Sequence, residues 1–415
     1  MNLSPEAGKV NTMAATPALG QHSLREQNIA LVAREIFGAP TPPSRADVAA
    51  STGLTRATVS ALVDRLIEAR IVAELIPAPA RRAGRPAVPL APATGTIIGL
   101  GLEVNVGYLA GTVLDLSGAT LATRTVPGDF HASDPATVLA QLGTLSADLL
   151  ATARSMHDGA RLAGVRVALP GLVDSATSTL RVAPNLGWAE LSPVDTRAIA
   201  AHTGTAPIMI ANEAKLAALA QVPVPGTTTE VPDSFLYVSA DVGIGAAIVL
   251  DRELFRGGRG WSGELGHVVV DPAGPPCQCG ATGCLEQYAG TDAVLRAAHL
   301  PRGSSVTDLL RAVARDDARA TAALDRAGHA LGAALADFVN LIDVPDILLG
   351  GAYSELADLL GPVILAELGT RVLSAPWSSF TVRRAPVGAG AATIGGARQS
   401  LDDVVDDPTP WLAGD

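Results

Sequence analysis

"GELGHVVVDPAGPPCQCGATGCLEQ", residues 263–287, contains all three cysteines of the chain, ten to seventeen residues after a histidine. His267, Cys277, Cys279 and Cys284 together supply one imidazole and three thiolates, which is a complete tetrahedral ligand set for Zn²⁺ with no position left for an activated water. We therefore expect a structural zinc that performs no chemistry. Two other readings of the same residues remain open: three reduced, buried thiols, or part of an iron–sulfur site without its fourth cysteine.

The charge pattern separates this stretch from any nucleic-acid contact. Residues 1–95 carry ten Lys or Arg against seven Asp or Glu, and the rest of the chain carries 20 against 34, so +3 and −14 sum to the formal net charge of −11. An acidic body repels phosphates. The stretch also lacks the second ligand pair of a DNA-reading zinc finger. We expect any DNA contact to come from the N-terminal segment alone.

The composition indicates a globular chain of two or three domains, because 48% of its 415 residues are hydrophobic and only 17% are charged. We find no apolar run of membrane-spanning length and no secretory signal in the sequence. Three cysteines within eight positions suit a metal site in a reducing compartment better than a disulfide framework. These features predict a cytoplasmic protein without a membrane partner.

Residues 22–92 show the pattern of a winged helix-turn-helix domain, after a flexible tail at residues 1–21. A first helix is predicted over residues 23–37. Ser44 and Asp47 can cap a short second helix that ends before a glycine, and Thr55 can cap a third. The third helix carries a buried stripe at helical spacing, formed by Val59, Leu62, Val63 and Leu66.

The polar face of the third helix and the basic turn after it are predicted to contact DNA. Arg56 in the first turn of the helix can reach a guanine edge or a phosphate, and the arginine-rich turn suits a minor groove. The predicted DNA-binding residues are Arg45, Thr55, Arg56, Thr58, Ser60, Arg81, Arg82 and Arg85. The alternative is a helical hairpin used for protein contacts, with the arginines in a solvated linker.

From residue 95 to residue 400, apolar strand segments alternate with Ala- and Leu-rich helices, which predicts an α/β fold. Two strand-rich parts of similar design flank the middle of the chain. We expect two lobes with a cleft between them, the second lobe beginning at about residue 210 and carrying the zinc loop at 267–284. A short tail is expected at 401–415.

The stretch Gly-Glu-Leu-Gly-His at residues 263–267, followed by Cys-x-Cys-Gly-x-x-Gly-Cys-Leu-Glu at residues 277–286, resembles the ROK family of repressors and sugar kinases. The resemblance covers about residues 22–400. It implies an actin-like sugar-kinase fold, and the N-terminal segment with its Arg-Ala-Gly-Arg-Pro wing resembles the repressor branch. It also implies a sugar site, formed by Asn185, Asn212, Glu213, Glu264, His267 and Glu286.

Three departures from the family's kinases predict that ATP use is lost. The phosphate loop Asp-x-Gly-Gly-Thr is replaced at residues 103–107 by Glu-Val-Asn-Val-Gly, and the turn Thr-Gly-x-Gly-Gly-Gly is replaced at residues 242–247 by Val-Gly-Ile-Gly-Ala-Ala. Glycines let backbone N–H groups approach phosphates, and the replacements hinder this. Glu213 stands where the kinases have an aspartate as general base, and one methylene moves a carboxylate by roughly 1 Å. We assign no catalytic residue.

These observations predict a sugar-responsive, DNA-binding transcriptional repressor, cytoplasmic and associated with the nucleoid. Its partners would be double-stranded operator DNA, a sugar or sugar derivative, and further copies of itself in a dimer or tetramer, with residues 338–343 as one possible interface. The enzyme alternative is an ATP-dependent sugar kinase, with or without DNA binding. A third reading is a regulator whose effector is a phosphotransferase-system protein rather than a sugar.

Overall fold

The computed structural model describes residues 21–77, 87–224 and 231–412, with side chains from residue 24 onward. Arg81, Arg82 and Arg85 of the predicted wing lie outside this range, as do residues 1–20 of the predicted tail. The described chain forms a small N-terminal domain and two α/β lobes.

The N-terminal domain packs three helices against a two-stranded antiparallel hairpin. Its elements are α1 (Gln21–Gly38), α2 (Arg45–Thr52), α3 (Arg56–Glu68), β1 (Val72–Glu74) and β2 (Leu90–Pro92).

The local signals in this domain act as predicted. Ser44 and Asp47 form a reciprocal capping box at the start of α2, and the Thr55 side chain accepts from the Thr58 N–H at the start of α3. Gly53 ends α2 with a φ of 72°, a left-handed conformation that favours glycine. The predicted apolar stripe is the buried face of α3: Val59, Leu62, Val63 and Leu66.

The first lobe is built on a five-stranded sheet. Its elements are β3 (Ile97–Val104), β4 (Tyr108–Asp115), β5 (Thr120–Pro127), α4 (Pro135–Met156), β6 (Arg161–Leu169), β7 (Leu172–Asp174), β8 (Thr179–Ala183), β9 (Trp188–Leu191), α5 (Arg197–Thr203), β10 (Ile208–Asn212) and α6 (Glu213–Gln221). The strand order is β10-β6-β3-β4-β5, with β3–β6 and β6–β10 parallel and the other pairs antiparallel. Strands β7, β8 and β9 form a separate small sheet.

The second lobe repeats this arrangement. Its elements are β11 (Phe235–Ala240), β12 (Ile244–Leu250), β13 (Glu253–Phe255), α7 (Glu286–Ala289), α8 (Thr291–Ala297), α9 (Val306–Val313), α10 (Ala318–Ile342), β14 (Asp346–Gly351), α11 (Ala352–Arg371) and β15 (Thr381–Arg384). The strand order of this lobe is β13-β12-β11-β14-β15. As in the first sheet, three strands pair antiparallel (β13, β12 and β11), and the remaining pairs, β11–β14 and β14–β15, are parallel. The last helix, α12 (Ala391–Asp406), returns to the first lobe and packs against β3, β4 and β6. The prediction of two α/β lobes is confirmed.

The C-terminal helix corrects one predicted boundary. We expected a tail from residue 401, but α12 continues to Asp406, and Leu401, Val404 and Val405 are buried. These side chains share one hydrophobic core with Ile29 and with other residues of α1 and α3, and with strands of the first lobe. The end of α12 therefore joins the N-terminal domain to the body.

Helix α4 has the length and apolar composition of a membrane span, and half of its most apolar window is buried. Val138, Leu142, Leu145 and Leu149 lie in the core that α4 shares with the first sheet. It is packed as a core helix of the first lobe.

Candidate functional site

The four predicted metal ligands lie together. The ligand atoms of His267, Cys277, Cys279 and Cys284 are all within 4.8 Å of one another. The Cys279 Sγ and Cys284 Sγ atoms are 3.7 Å apart, and Cys277 Sγ is 3.9 Å from His267 Nδ1. A tetrahedral zinc with Zn–S bonds of about 2.3 Å requires S···S distances of roughly 3.8 Å. The donor set and its spacing fit a metal ion.

Backbone hydrogen bonds hold the loop that carries the cysteines. The Cys277 N–H donates to the Ala281 carbonyl at 2.8 Å, and the Gly280 N–H donates back to the Cys277 carbonyl at 3.0 Å. Burial, with the neighbouring thiols, raises the pKa of Cys284 to about 12. The Ala281 N–H, by contrast, lowers the pKa of Cys279. Cys284 thus resists ionisation unless a cation compensates the charge, so metal binding and deprotonation of this thiol belong together.

Two carboxylates lie beside this cluster. Glu286 begins α7 two residues after Cys284, and its Oε1 atom is 4.0 Å from Cys277 Sγ. Glu264 immediately precedes the 3₁₀ turn Leu265–His267 that ends at the histidine. A metal bound by the cluster would restrict both carboxylates through the backbone.

All six residues predicted to bind a sugar line a single cavity of about 70 Å³ between the lobes. They come from both lobes: Asn185, Asn212, Glu213, Glu264, His267 and Glu286. Carboxylates and amides of this kind bind the paired hydroxyls of a sugar. The structure brings the predicted residues together, and their binding role stays a prediction.

The cavity also contains residues that the sequence reasoning did not single out as ligands: Gly171, Gly243, Gly245 and Gln278. A Cβ at Gly243 would lie 2.3 Å from Glu286 Oε2 and 3.6 Å from Asn185 Nδ2, so a side chain at this position would displace the Glu286 carboxylate. Gly243 and Gly245 are retained in the degenerate turn at residues 242–247, and these glycines are the sequence signal that could have indicated their place in the cavity.

Asn212 has a structural role in addition to its predicted one. It is the N-cap of α6, where its Oδ1 accepts from the Lys215 N–H at 3.1 Å, and its Nδ2 donates to the Gly171 carbonyl at 2.9 Å. A ligand can use only its remaining lone pair and its second N–H.

Glu213 lies where the polar cavity meets a larger one of about 460 Å³ that is also lined by Glu103, Asp241 and Glu355. Burial raises the pKa of Glu213 well above its ordinary value, and the charges of Asp241 and Glu103 raise it further. Burial also raises the pKa of Glu103 to about 7 and that of Asp241 to about 6. No Lys or Arg is among the described residues lining this larger cavity.

Asn105 lies in the loop that replaces the kinase phosphate loop, and its side chain forms hydrogen bonds at both ends. Its Nδ2 donates to Asp241 Oδ2 at 3.0 Å, and its Oδ1 accepts from the Gly107 N–H at 3.0 Å. The Gly107 N–H is therefore already bonded within the loop.

The predicted DNA-binding residues that the structure describes, Arg45, Thr55, Arg56, Thr58 and Ser60, do not line either of these cavities. Arg56 is exposed at the start of α3, and Thr58 and Ser60 are partly exposed on the same helix. Thr55 and Thr58 bond to each other in the helix cap, with 2.8 Å between their hydroxyls.

Arg45 forms ion pairs within the N-terminal domain, and its contact with DNA stays a prediction. Its guanidinium pairs with Asp64 at 2.7 Å and with Glu74, so it connects α2 to α3 and β1. The pairing partners come from distant positions, which no local sequence pattern indicates. We therefore interpret Arg45 as a residue that orients α2.

Comparison with known proteins gives consistent results. The ROK family profile matches residues 99–401. The xylose repressor of Bacillus subtilis is 26% identical over 387 residues, covering 93% of this chain and 98% of the repressor. A solved ROK family transcriptional regulator, a homologue of the Escherichia coli Mlc protein, has a TM-score of 0.76 and 28% identity over 92% of this chain and 97% of that chain. A ROK hexokinase from Thermus thermophilus has a TM-score of 0.60 and 27% identity, over 74% of this chain and 99% of that chain. The two-lobed body thus has the sugar-kinase fold.

Proposed function

Because the chain belongs to the ROK family, we propose that it is a sugar-responsive, DNA-binding transcriptional repressor whose kinase-like body has lost ATP-dependent phosphorylation. The N-terminal domain carries this proposal. The hexokinase matches over almost its whole length but covers only 74% of this chain, whereas the solved regulator covers 92%. The regulator therefore matches more of this chain than a kinase does.

The N-terminal domain supports DNA binding by a winged helix-turn-helix. Helix α3 buries its apolar stripe and leaves Arg56 exposed in its first turn, as a recognition helix requires. Strands β1 and β2 are placed to form the base of a wing whose tip would carry Arg81, Arg82 and Arg85. The tip would contact the minor groove or the phosphates.

The polar cavity between the lobes is proposed to bind the effector, a sugar or sugar derivative. Zinc held by His267 and the three cysteines would be structural, since these four ligands fill its coordination sphere. The residues it would hold in place are Glu264 and Glu286, while His267 would serve both the metal and the cavity.

The lost kinase activity is supported by the cavity next to Glu213. Four carboxylates line it, and the backbone donor of Gly107 is bonded to Asn105. A triphosphate would meet negative charge there, with no Lys or Arg among the described lining residues to offset it. A sugar kinase remains the second candidate, favoured by the retained two-cavity arrangement.

An exposed apolar patch supports a dimer or tetramer. Leu341 is 80% exposed at the end of α10, and Leu373 and Trp377 are each 85% exposed after α11. Asn340 bonds to the backbone of Arg371 and Leu373, which holds the two helix ends together. Large exposed apolar side chains in one place are typical of contact surfaces. We propose this patch, which includes part of the predicted 338–343 interface, as a subunit contact in a cytoplasmic, nucleoid-associated protein.

The proposal is tested by selecting binding sites from a random double-stranded DNA library with the purified chain. We expect a pseudo-palindromic sequence to be enriched, because a symmetric dimer binds two half-sites. A thermal-shift screen of sugars should then identify one that stabilises the protein and changes its affinity for the enriched DNA. If no sequence is enriched over input, the DNA-binding assignment is wrong.

The same sugars are assayed with ATP to separate the two candidates. We expect no ATP-dependent phosphorylation of any sugar that produces a thermal shift. Sustained turnover of about 10 per second would make the chain a kinase by ordinary enzyme standards and would overturn the loss of activity.

A further inference from the structure

A third cavity, of about 100 Å³, shares Asn212 with the predicted effector cavity. It opens where β10 and α6 of the first lobe meet the edge strand β13 of the second. Three cationic side chains line it, each from a different segment: Arg166 from β6, Lys215 from α6 and Arg256 from the loop after β13. Ser175 and Gln399 add neutral polar groups.

The positive charge in this cavity is only partly compensated. Arg166 pairs with Asp403 through Nη2, but its Nε is buried and has no hydrogen-bond partner among the described residues. Lys215 is 7% exposed, and its ammonium donates to the Gly260 carbonyl. Arg256 forms no ion pair within residues 21–77, 87–224 and 231–412.

Burial of Arg166 and Lys215 has a cost that the protein offsets only in part. Burial lowers the pKa of Lys215 and that of Arg166, and the charge of Arg256 lowers both further. Only Asp403 and Glu264 act in the opposite direction, on Arg166 and Lys215 respectively. Buried charges are normally paired, so a cavity lined by three cations of which only two are compensated, in a body of net charge −14, suits an anionic ligand.

We propose that this basic cavity binds a phosphate group, either as free inorganic phosphate or carried by a small phosphorylated metabolite. Arginine guanidinium groups bind phosphate oxygens through paired N–H donors, and lysine adds a compact positive charge. Arg256 at the open side would complete the site around the anion, with Ser175 as a further donor.

The position of the cavity predicts that phosphate and effector binding are coupled, a consequence that rests on the proposed function. Asn212 lines both cavities, and its Oδ1 accepts from the Lys215 N–H. Lys215 also interacts electrostatically with Glu264, which lines the effector cavity. An anion bound to Lys215 would weaken its attraction for Glu264 and so alter two predicted sugar ligands together.

The test measures binding to the full-length chain by calorimetry, with inorganic phosphate, with a panel of sugar phosphates and with the same sugars unphosphorylated. Arg256→Gln is the test variant, because Arg256 is exposed and the substitution leaves the core unchanged. Arg259→Gln is the matched control, since Arg259 stacks over Trp261, 5.2 Å from the ring centre, and does not line the cavity.

We expect Arg256→Gln to weaken phosphate binding at least tenfold and Arg259→Gln to change it less than twofold. Loss of inorganic phosphate binding identifies the free anion as the ligand. If Arg256→Gln loses only the preference for a phosphorylated sugar over the same sugar without phosphate, the ligand is a phosphorylated metabolite. The proposal is overturned if wild type and Arg256→Gln bind these ligands with equal affinity, or if wild type binds neither inorganic phosphate nor any sugar phosphate in preference to its parent sugar. Phosphate binding without any sugar binding supports this site and contradicts only the proposed effector.

Discussion

One methylene separates Glu213 from the aspartate that the family resemblance places at this position in the kinases. Glu213 lies between the two interlobe cavities, and burial and two neighbouring carboxyls raise its pKa. A general base must be deprotonated to accept a proton, whereas a carboxyl with a raised pKa stays protonated until the pH exceeds that value. The raised pKa therefore opposes the use of Glu213 as a general base.

At the same scale, Cys279→Ser tests the metal. Cys279 is exposed, so the change removes a ligand without disturbing the core. We expect the zinc content, measured by elemental mass spectrometry, to fall well below one ion per chain. Sugar affinity should fall about tenfold because Glu264 and Glu286 lose their fixed positions. Thr282→Ala, an exposed change in the same loop, is the control. Full sugar affinity in a zinc-free variant would show that the metal does not support the cavity.

At the scale of elements, helix α3 has one buried apolar face and an opposite, exposed face that is proposed to contact DNA. Arg56→Ala should weaken binding to the selected DNA about tenfold and relax its sequence preference, because a base contact is lost as well as a charge. Arg154→Ala removes one exposed positive charge from α4, far from the proposed reading head, and should have little effect. Competition binding against a library of single-base variants measures both quantities. Equal losses in the two variants would mean that Arg56 contributes only general electrostatics.

Elements defined by local signals could be predicted from the sequence, whereas those defined by distant contacts could not. The caps at Ser44 and Thr55 and the stripe of α3 depend on residues within one or two turns. The small sheet of β7, β8 and β9 has strands of three to five residues, too short for a clear period. The last turn and a half of α12 are held by burial against α1, which its own sequence does not reveal.

The candidate site divides in the same way. The metal ligands lie within eighteen residues and have a recognisable spacing, so the sequence predicts the cluster that the structure assembles. The six cavity residues followed from the family resemblance, and the structure places them together. The basic cavity was missed because Arg166, Lys215 and Arg256 come from three distant segments, and each alone resembles an ordinary surface cation.

At the scale of the whole molecule, the proposed repressor needs a physical connection between effector and DNA. The N-terminal domain shares its core with the first lobe and with the end of α12, and α12 also packs against α6, which begins with the cavity residue Glu213. A movement of α6 on sugar binding can therefore reach α1 through packed side chains. Sugar must bind the two arrangements with different affinities for this to regulate.

Leu401→Ala tests this connection. Leu401 lies in the core shared by α12 and the N-terminal domain, and its truncation should cost about 2–5 kcal/mol of stability. The factor by which sugar changes operator affinity must equal the factor by which operator changes sugar affinity. We expect both factors to shrink toward one in Leu401→Ala, with sugar affinity in the absence of DNA unchanged. The measurement is a full cycle of the four dissociation constants.

Leu309→Ala is the matched control for that cycle, because Leu309 is equally a buried leucine but lies in the core of the second lobe, on α9. It should lower stability by a similar amount and leave the coupling factor at its wild-type value. If destabilising any hydrophobic core reduced the coupling between sugar and operator, both variants would show a smaller coupling factor, and the loss in Leu401→Ala would not be specific to this connection. If Leu401→Ala kept the full factor, the effector signal would have to travel by another route, and the remaining candidate is a rearrangement of subunits through Leu341, Leu373 and Trp377.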